Sequence, residues 1–126
     1  MDVAAAFAAG DDFVLVDARG HASWHQGRIA GAIHLPHAEI RARATDLIPI
    51  TTPVVVCCWG PGCNGSTRAA LQFSLRGYAV KEMIGGVEYW AREGLDIVDD
   101  AGPITRAVDT LTAPRGVGSG VVACDC

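Results

Sequence analysis

The sequence predicts an α/β fold, a mostly parallel central sheet with helices on both faces. Two observations carry this expectation. Short apolar runs rich in β-branched residues alternate with helical stretches, which is the pattern of strand–helix units. The 126 residues, half of them apolar, supply one core of ordinary size and call for no second domain. The expected organisation is one domain over residues 1–103 and a C-terminal arm over residues 104–126.

Each element has its own signal. Residues 2–9 are Ala-rich and read as a short helix closed by Gly10, and residues 13–16 form a fully buried strand ending at Asp17. Residues 23–26 make a short helical turn. Residues 31–35 read as a second strand closed by Pro36, and residues 38–47 as a helix in which Arg and apolar positions alternate. Val54, Val55 and Val56 lead a strand over residues 54–58. In the helix over residues 66–76, Ala69, Ala70, Phe73 and Leu75 lie largely on one side; Ser66 or Thr67 is the expected N-cap and Gly77 the stop. Residues 78–84 form the next strand, Gly85 and Gly86 a turn, and residues 87–92 a helix carrying Trp90, ended by Gly94. Beyond Pro103 the chain is rich in Thr, Gly, Pro and Val without a sustained period. Its last apolar run, from Val121, could add an edge strand and deliver Cys124 and Cys126.

Composition narrows the function. A net charge of −4 with only 10 Lys plus Arg leaves no basic stripe for a polyanion, so nucleic acid is not an expected partner. The first residues lack a cationic leader, and no apolar run approaches the ~18 residues of a spanning helix, so no membrane is expected and the cytoplasm is the expected compartment. Oligomeric state leaves no mark in the sequence. The five cysteines are crowded into one loop and one tail, unlike a disulfide framework spread over a fold. They read as reactive or metal-binding thiols.

The richest stretch runs from Val54 to Arg68. A buried strand ends in Cys57 and Cys58, a loop of Trp59, Gly60, Pro61, Gly62, Cys63, Asn64 and Gly65 follows, and a helix starts at Ser66 and Thr67. Glycines free backbone N–H groups, and a helix N-terminus adds its partial positive charge, so the loop is a candidate anion cradle and thiolate site. Cys58 is the candidate nucleophile. Cys63 is a candidate second thiol, able to form a disulfide with Cys58 or to receive its sulfur; with Arg68 five positions later it could itself be the nucleophile. Cys57 points to the opposite face of its strand from Cys58 and reads as core. Trp59 could wall the pocket, and Trp90 reads as core. His21, His25, His34 and His37 are scattered and suggest no general base.

The segments around Asp17, Gly27 to Ile33, Val54 to Cys58 and Ile84 to Trp90 resemble the rhodanese-like sulfurtransferase family, over roughly residues 10–98. The resemblance implies a cysteine at the end of the central strand, here Cys58, that carries sulfane sulfur from a donor such as thiosulfate to a thiol or cyanide acceptor. It also implies a structural ion pair of Asp17 and Arg19 near the site. The thiol chemistry of Cys58 requires no cofactor or metal. The loop from Cys58 to Gly65 is longer than in common single-domain members, and Gly65 stands where an Arg often closes that loop. The sequence Cys-Trp-Gly-Pro-Gly-Cys-Asn-Gly is similar to a long-loop subgroup. Related phosphatases also have longer loops, but they bind phosphate through an Arg fork, and no Arg lies between Cys58 and Gly65. Whether Arg68 reaches the anion is open at this level. Two further alternatives are a zinc site made by Cys58, Cys63, Cys124 and Cys126, whose spacing is unlike a zinc knuckle, and a binding module that has lost catalysis. If the tail folds over the loop, Cys124 and Cys126 become second thiols.

Overall fold

The computed structural model describes residues 2–105 of the chain. Asp2 caps helix α1 (Val3–Ala9) by accepting the Ala5 amide, and Gly10, at φ 71°, ends it. Strand β1 (Val14–Asp17) follows, then α2 (His21–Gln26), β2 (Arg28–Ile29), β3 (Ile33–His34) and α3 (Ile40–Leu47). The second half comprises β4 (Val54–Cys57), α4 (Gly65–Ser74), β5 (Val80–Glu82), α5 (Gly86–Arg92), β6 (Ile97–Asp99) and β7 (Gly102–Ile104).

The central sheet is parallel throughout, in the order β3-β1-β4-β5, so the predicted architecture is the observed one. β4 sits between two neighbours and is buried along its whole length, which is why its sequence is continuously apolar instead of alternating. Its side chains divide between two cores by strand alternation. Val54 and Val56 join Val16, Leu35, Ile40, Ala44, Ile48, Ala69, Phe73 and Tyr78 under α3 and α4. Val55 and Cys57 join Val3, Leu15, Ile29, Val87 and Ile97 on the side of α1 and α5, where Trp90 is partly buried. Helices therefore cover both faces.

A second sheet, antiparallel in the order β2-β6-β7, adds to this core and has no counterpart in the sequence reading. Its strands are two or three residues long, too short to show a period. Short edges explain other differences. The strand expected over residues 31–35 contracts to Ile33–His34, and that over 78–84 to Val80–Glu82. Tyr78 leaves the strand to pack edge-on against Phe73, 5.2 Å between ring centres, while its hydroxyl donates to the Ile48 carbonyl at 2.7 Å. α3 starts at Ile40 because residues 36–39 form a turn closed by the Glu39 amide on the Pro36 carbonyl. β7 carries the small sheet through Ile104; the arm from residue 106 onward, with Cys124 and Cys126, lies outside the described residues. Among the described residues no helix is long and apolar enough to cross a membrane.

Candidate active site

Parallel register sets the site at the carboxyl edge of the central sheet, where open α/β sheets place their ligands. Asp17 pairs with Cys57 at the ends of β1 and β4, so Cys58 and Ala18 leave the sheet side by side. Cys58 is the first residue beyond β4 and is 5 % exposed. Its carbonyl accepts the Val87 amide at 3.0 Å, and the Trp59 carbonyl accepts the Glu88 amide at 2.8 Å, so the start of α5 fixes the first two loop residues. Gly86 makes this approach possible. It has φ 61°, and a Cβ there would lie 2.6 Å from the Cys58 carbonyl oxygen and 2.7 Å from the Gly60 nitrogen. Only glycine fits both the conformation and the gap.

The far side of the loop turns back on itself. The Cys63 amide donates to the Gly60 carbonyl at 3.0 Å, with Pro61 at the second turn position, where its fixed φ suits the bend. The turn carries Cys63 onto Cys58, and the two form a disulfide across a Cα separation of 6.4 Å. Gly65, the first residue of α4, seats both sulfurs: a Cβ on it would stand 2.6 Å from Cys58 Sγ and 3.5 Å from Cys63 Sγ. The first bond of α4 runs from the Arg68 amide to the Asn64 carbonyl at 3.0 Å. The amides of Gly65, Ser66 and Thr67 thus have no carbonyl of their own helix to donate to, and the sulfurs sit at this positive end.

The expected N-cap is corrected here. α4 begins one residue early, with Asn64 as N-cap and no side-chain cap bond. Ser66 and Thr67 are therefore inside the first turn, and their hydroxyls donate sideways to Glu82 Oε1, at 2.7 and 2.9 Å. Arg68 lies on the exposed side of α4. Asp17 and Arg19 form the expected ion pair, fully buried: Arg19 Nη2 is 2.6 Å from Asp17 Oδ2 and also donates to the Gly27 carbonyl at 2.7 Å. Trp59 stacks on this cation, 4.4 Å from guanidinium carbon to ring centre, and is 39 % exposed on its outer side. Arg19 Nη1 is the one buried side-chain polar atom among the described residues without a hydrogen-bond partner.

Cys57 is the core residue the strand alternation predicts. Burial, and then the Asp17 charge, push its thiol far above the ordinary range, so it stays protonated and inert. Three of the four histidines are engaged elsewhere: His34 Nε2 donates to the Arg19 carbonyl at 2.8 Å and stacks on Trp24, His21 meets Glu39, and His25 meets Asp100. Among the described residues no cluster of His, Cys, Asp or Glu is placed to hold a metal ion. Two carboxylates escaped the sequence reading. Glu82 holds the first turn of α4, and Glu88 lies so close to the loop that a Cβ on Gly60 would meet its Oε2 at 2.7 Å. The position of Glu82 follows from parallel register, since it pairs with Val56 two residues before Cys58; Glu88 lies in the Ile84 to Trp90 segment that carries the resemblance, but nothing local to it shows that its side chain meets the loop.

Comparison with known proteins agrees with this fold. Residues 2–93 match the family model for the rhodanese-like domain. Over 93 residues the chain is 38% identical to a sulfurtransferase of Allochromatium vinosum, covering 73% of this chain and 84% of that protein. It is 32% identical over 93 residues to an HTH-type transcriptional regulator of Mycobacterium tuberculosis, covering 74% of this chain but only 40% of the regulator. Among solved structures, a Bacillus halodurans protein superposes with a TM-score of 0.74 at 33% identity, covering 80% of this chain and 74% of the other. A Lactobacillus plantarum protein gives 0.68 at 28% identity, covering 75% and 81%.

Proposed function

The chain belongs to the rhodanese-like domain family, a sulfurtransferase-type family, and from that premise we propose that it moves sulfane sulfur through a persulfide on Cys58. The observation that carries this reading is the seat of Cys58 Sγ: beyond the central strand, against Gly65, at the open amide end of α4. A helix N-terminus favours the thiolate, which is the attacking species. The thiolate attacks the outer sulfur of thiosulfate, forming Cys58–S–S⁻ and releasing sulfite. Cyanide or a thiolate then takes the outer sulfur and restores Cys58, a two-step ping-pong cycle that needs no cofactor. The backbone amides of the remaining loop residues, Trp59 to Thr67, form the cradle, and Asp17 with Arg19 hold the adjoining strand end. The long loop supports membership of the Cys-Trp-Gly-Pro-Gly-Cys-Asn-Gly subgroup, with Cys124 and Cys126 as additional acceptor thiols if the tail folds over the loop.

The test uses protein reduced beforehand, because the disulfide removes the nucleophile. Thiocyanate formation from thiosulfate and cyanide should be abolished in Cys58→Ser, and brief thiosulfate exposure should add one sulfur atom (~32 Da) to the wild type but not to that variant. An adduct that survives in Cys58→Ser and vanishes in Cys63→Ser would move the nucleophile along the loop.

A further inference from the structure

We infer that Cys63 is a resolving thiol that converts the Cys58 persulfide into the Cys58–Cys63 disulfide and expels the transferred sulfur as sulfide. The inference rests on the Cys58 persulfide proposed above and adds the fate of its sulfur. The two sulfurs are bonded across a loop whose turn, closed by the Cys63 amide on the Gly60 carbonyl, already brings Cys63 back over Cys58. Gly65 provides the common seat that a larger residue would occupy. A thiol held this close competes with any acceptor from solution, since an intramolecular attack avoids the entropy of bringing two molecules together.

The step balances without another reagent. Cys63 sulfur attacks Cys58 Sγ, the inner sulfur of Cys58–S–S⁻; the bond to the outer sulfur breaks, and that sulfur leaves with the electron pair. The proton of the Cys63 thiol goes to the leaving group, giving HS⁻. The sulfane sulfur is reduced to sulfide, and the two cysteines are oxidised to the disulfide. A dithiol reductant then closes the cycle, becoming a disulfide itself. Exposure sets the direction of that attack: Cys58 is buried, whereas Cys63 is half-buried and reachable. The reductant therefore bonds to Cys63 and displaces Cys58, the better leaving thiolate at the helix N-terminus, which is the form needed for the next turnover. The net reaction is reductive cleavage of a sulfane donor to sulfide, with a small dithiol or a dithiol protein as partner.

The experiment takes the full chain, reduced and freed of reductant without oxygen, adds thiosulfate, and measures sulfite, sulfide and intact mass with no added thiol. The wild type should release sulfide along with sulfite and finish as the disulfide, lighter than the reduced chain by its two thiol hydrogens. Cys63→Ser and Cys63→Ala should release sulfite, hold the added sulfur, and yield on the order of tenfold less sulfide. A wild-type chain that keeps the added sulfur and frees no sulfide would overturn the inference while leaving the Cys58 persulfide standing. Undiminished sulfide from both Cys63 variants would overturn it too. Absence of sulfite in every form would refute the persulfide reading itself and the inference with it.

Discussion

Gly86→Ala should damage the site from behind, without touching a sulfur. At φ 61° an L-residue pays about 1–2 kcal/mol for the left-handed conformation. The added methyl would also stand 2.6 Å from the Cys58 carbonyl oxygen, 2.7 Å from the Gly60 nitrogen and 2.7 Å from the Trp59 carbonyl carbon. All three are backbone atoms with no rotamer to turn, so α5 or the loop must shift, an overpacking cost of about 1–3 kcal/mol. The combined loss is about 2–5 kcal/mol, a large share of a typical total of about 5–15 kcal/mol. With a urea slope near 2 kcal/mol/M, the unfolding midpoint should fall by roughly 1–2.5 M. The shift also strains the Val87 and Glu88 amide bonds to the loop, so sulfur uptake at Cys58 should slow in the folded variant. Gly62→Ala is the matched control, since Gly62 has no positive φ and a Cβ on it would meet nothing within 4 Å. Its midpoint should stay near wild type. A Gly86→Ala midpoint as high as that of Gly62→Ala would refute the account of the loop's support.

Asp17→Ala strands the buried Arg19 cation and should cost about 3–5 kcal/mol in urea unfolding; a loss below about 1 kcal/mol would show that the pair is not a buried charge pair in solution. Hydrogen bonds from Arg43 and then His21 hold Glu39 below its ordinary carboxylate value, so its contribution is present above that value and is lost as pH falls through the depressed one. Stability should therefore drop on acidification below about pH 4, less steeply in Glu39→Gln; equal slopes would refute the assignment. Glu82→Gln removes a negative charge from the first turn of α4 and should raise kcat/KM for the thiosulfate dianion about two- to fivefold, the equivalent of about 0.3–1 kcal/mol at a helix terminus. No gain in steady-state thiocyanate formation would show that this carboxylate does not reach the donor.

The sheet was legible because β4 is buried along its whole length and β1 from Leu15 onward, and such strands are written largely in apolar residues. The same burial made Cys57 legible as core. What could not be read was set by partners far along the chain. Arg28 and Ile29 become a strand only by pairing with Val98 and Ile97. Gly85 and Gly86 announce a turn locally, but the closeness of that turn to Cys58 depends on packing between α5 and the loop. Ser66 and Thr67 are ordinary capping residues by type; the Glu82 carboxylate, placed opposite them by β5, gives their hydroxyls a different acceptor. The Cys58–Cys63 contact stood between these cases. The sequence showed both thiols in one loop, and the Gly60–Cys63 turn with the missing Cβ of Gly65 determines that they meet.

The charge around the loop bears on which anion it suits. No Arg or Lys lies between Cys58 and Thr67. The nearby Arg19 is committed to Asp17 and covered by Trp59, while Glu82 and Glu88 flank the loop, Glu88 in an ion pair with Arg92 at 2.9 Å. A phosphate dianion spreads its charge over several oxygens and is held best by forked cations, which this loop lacks. The helix end offers instead only about half a positive charge, concentrated at a few amides. That supply matches a single negative charge centred on one sulfur, as in a thiolate or a persulfide. It matches a second full charge poorly, all the more with the Glu82 carboxylate at the first turn of α4. The electrostatics thus favour chemistry in which the charge stays on Cys58 or its sulfur and the anionic remainder of the donor departs, and they disfavour prolonged retention of a tetrahedral dianion.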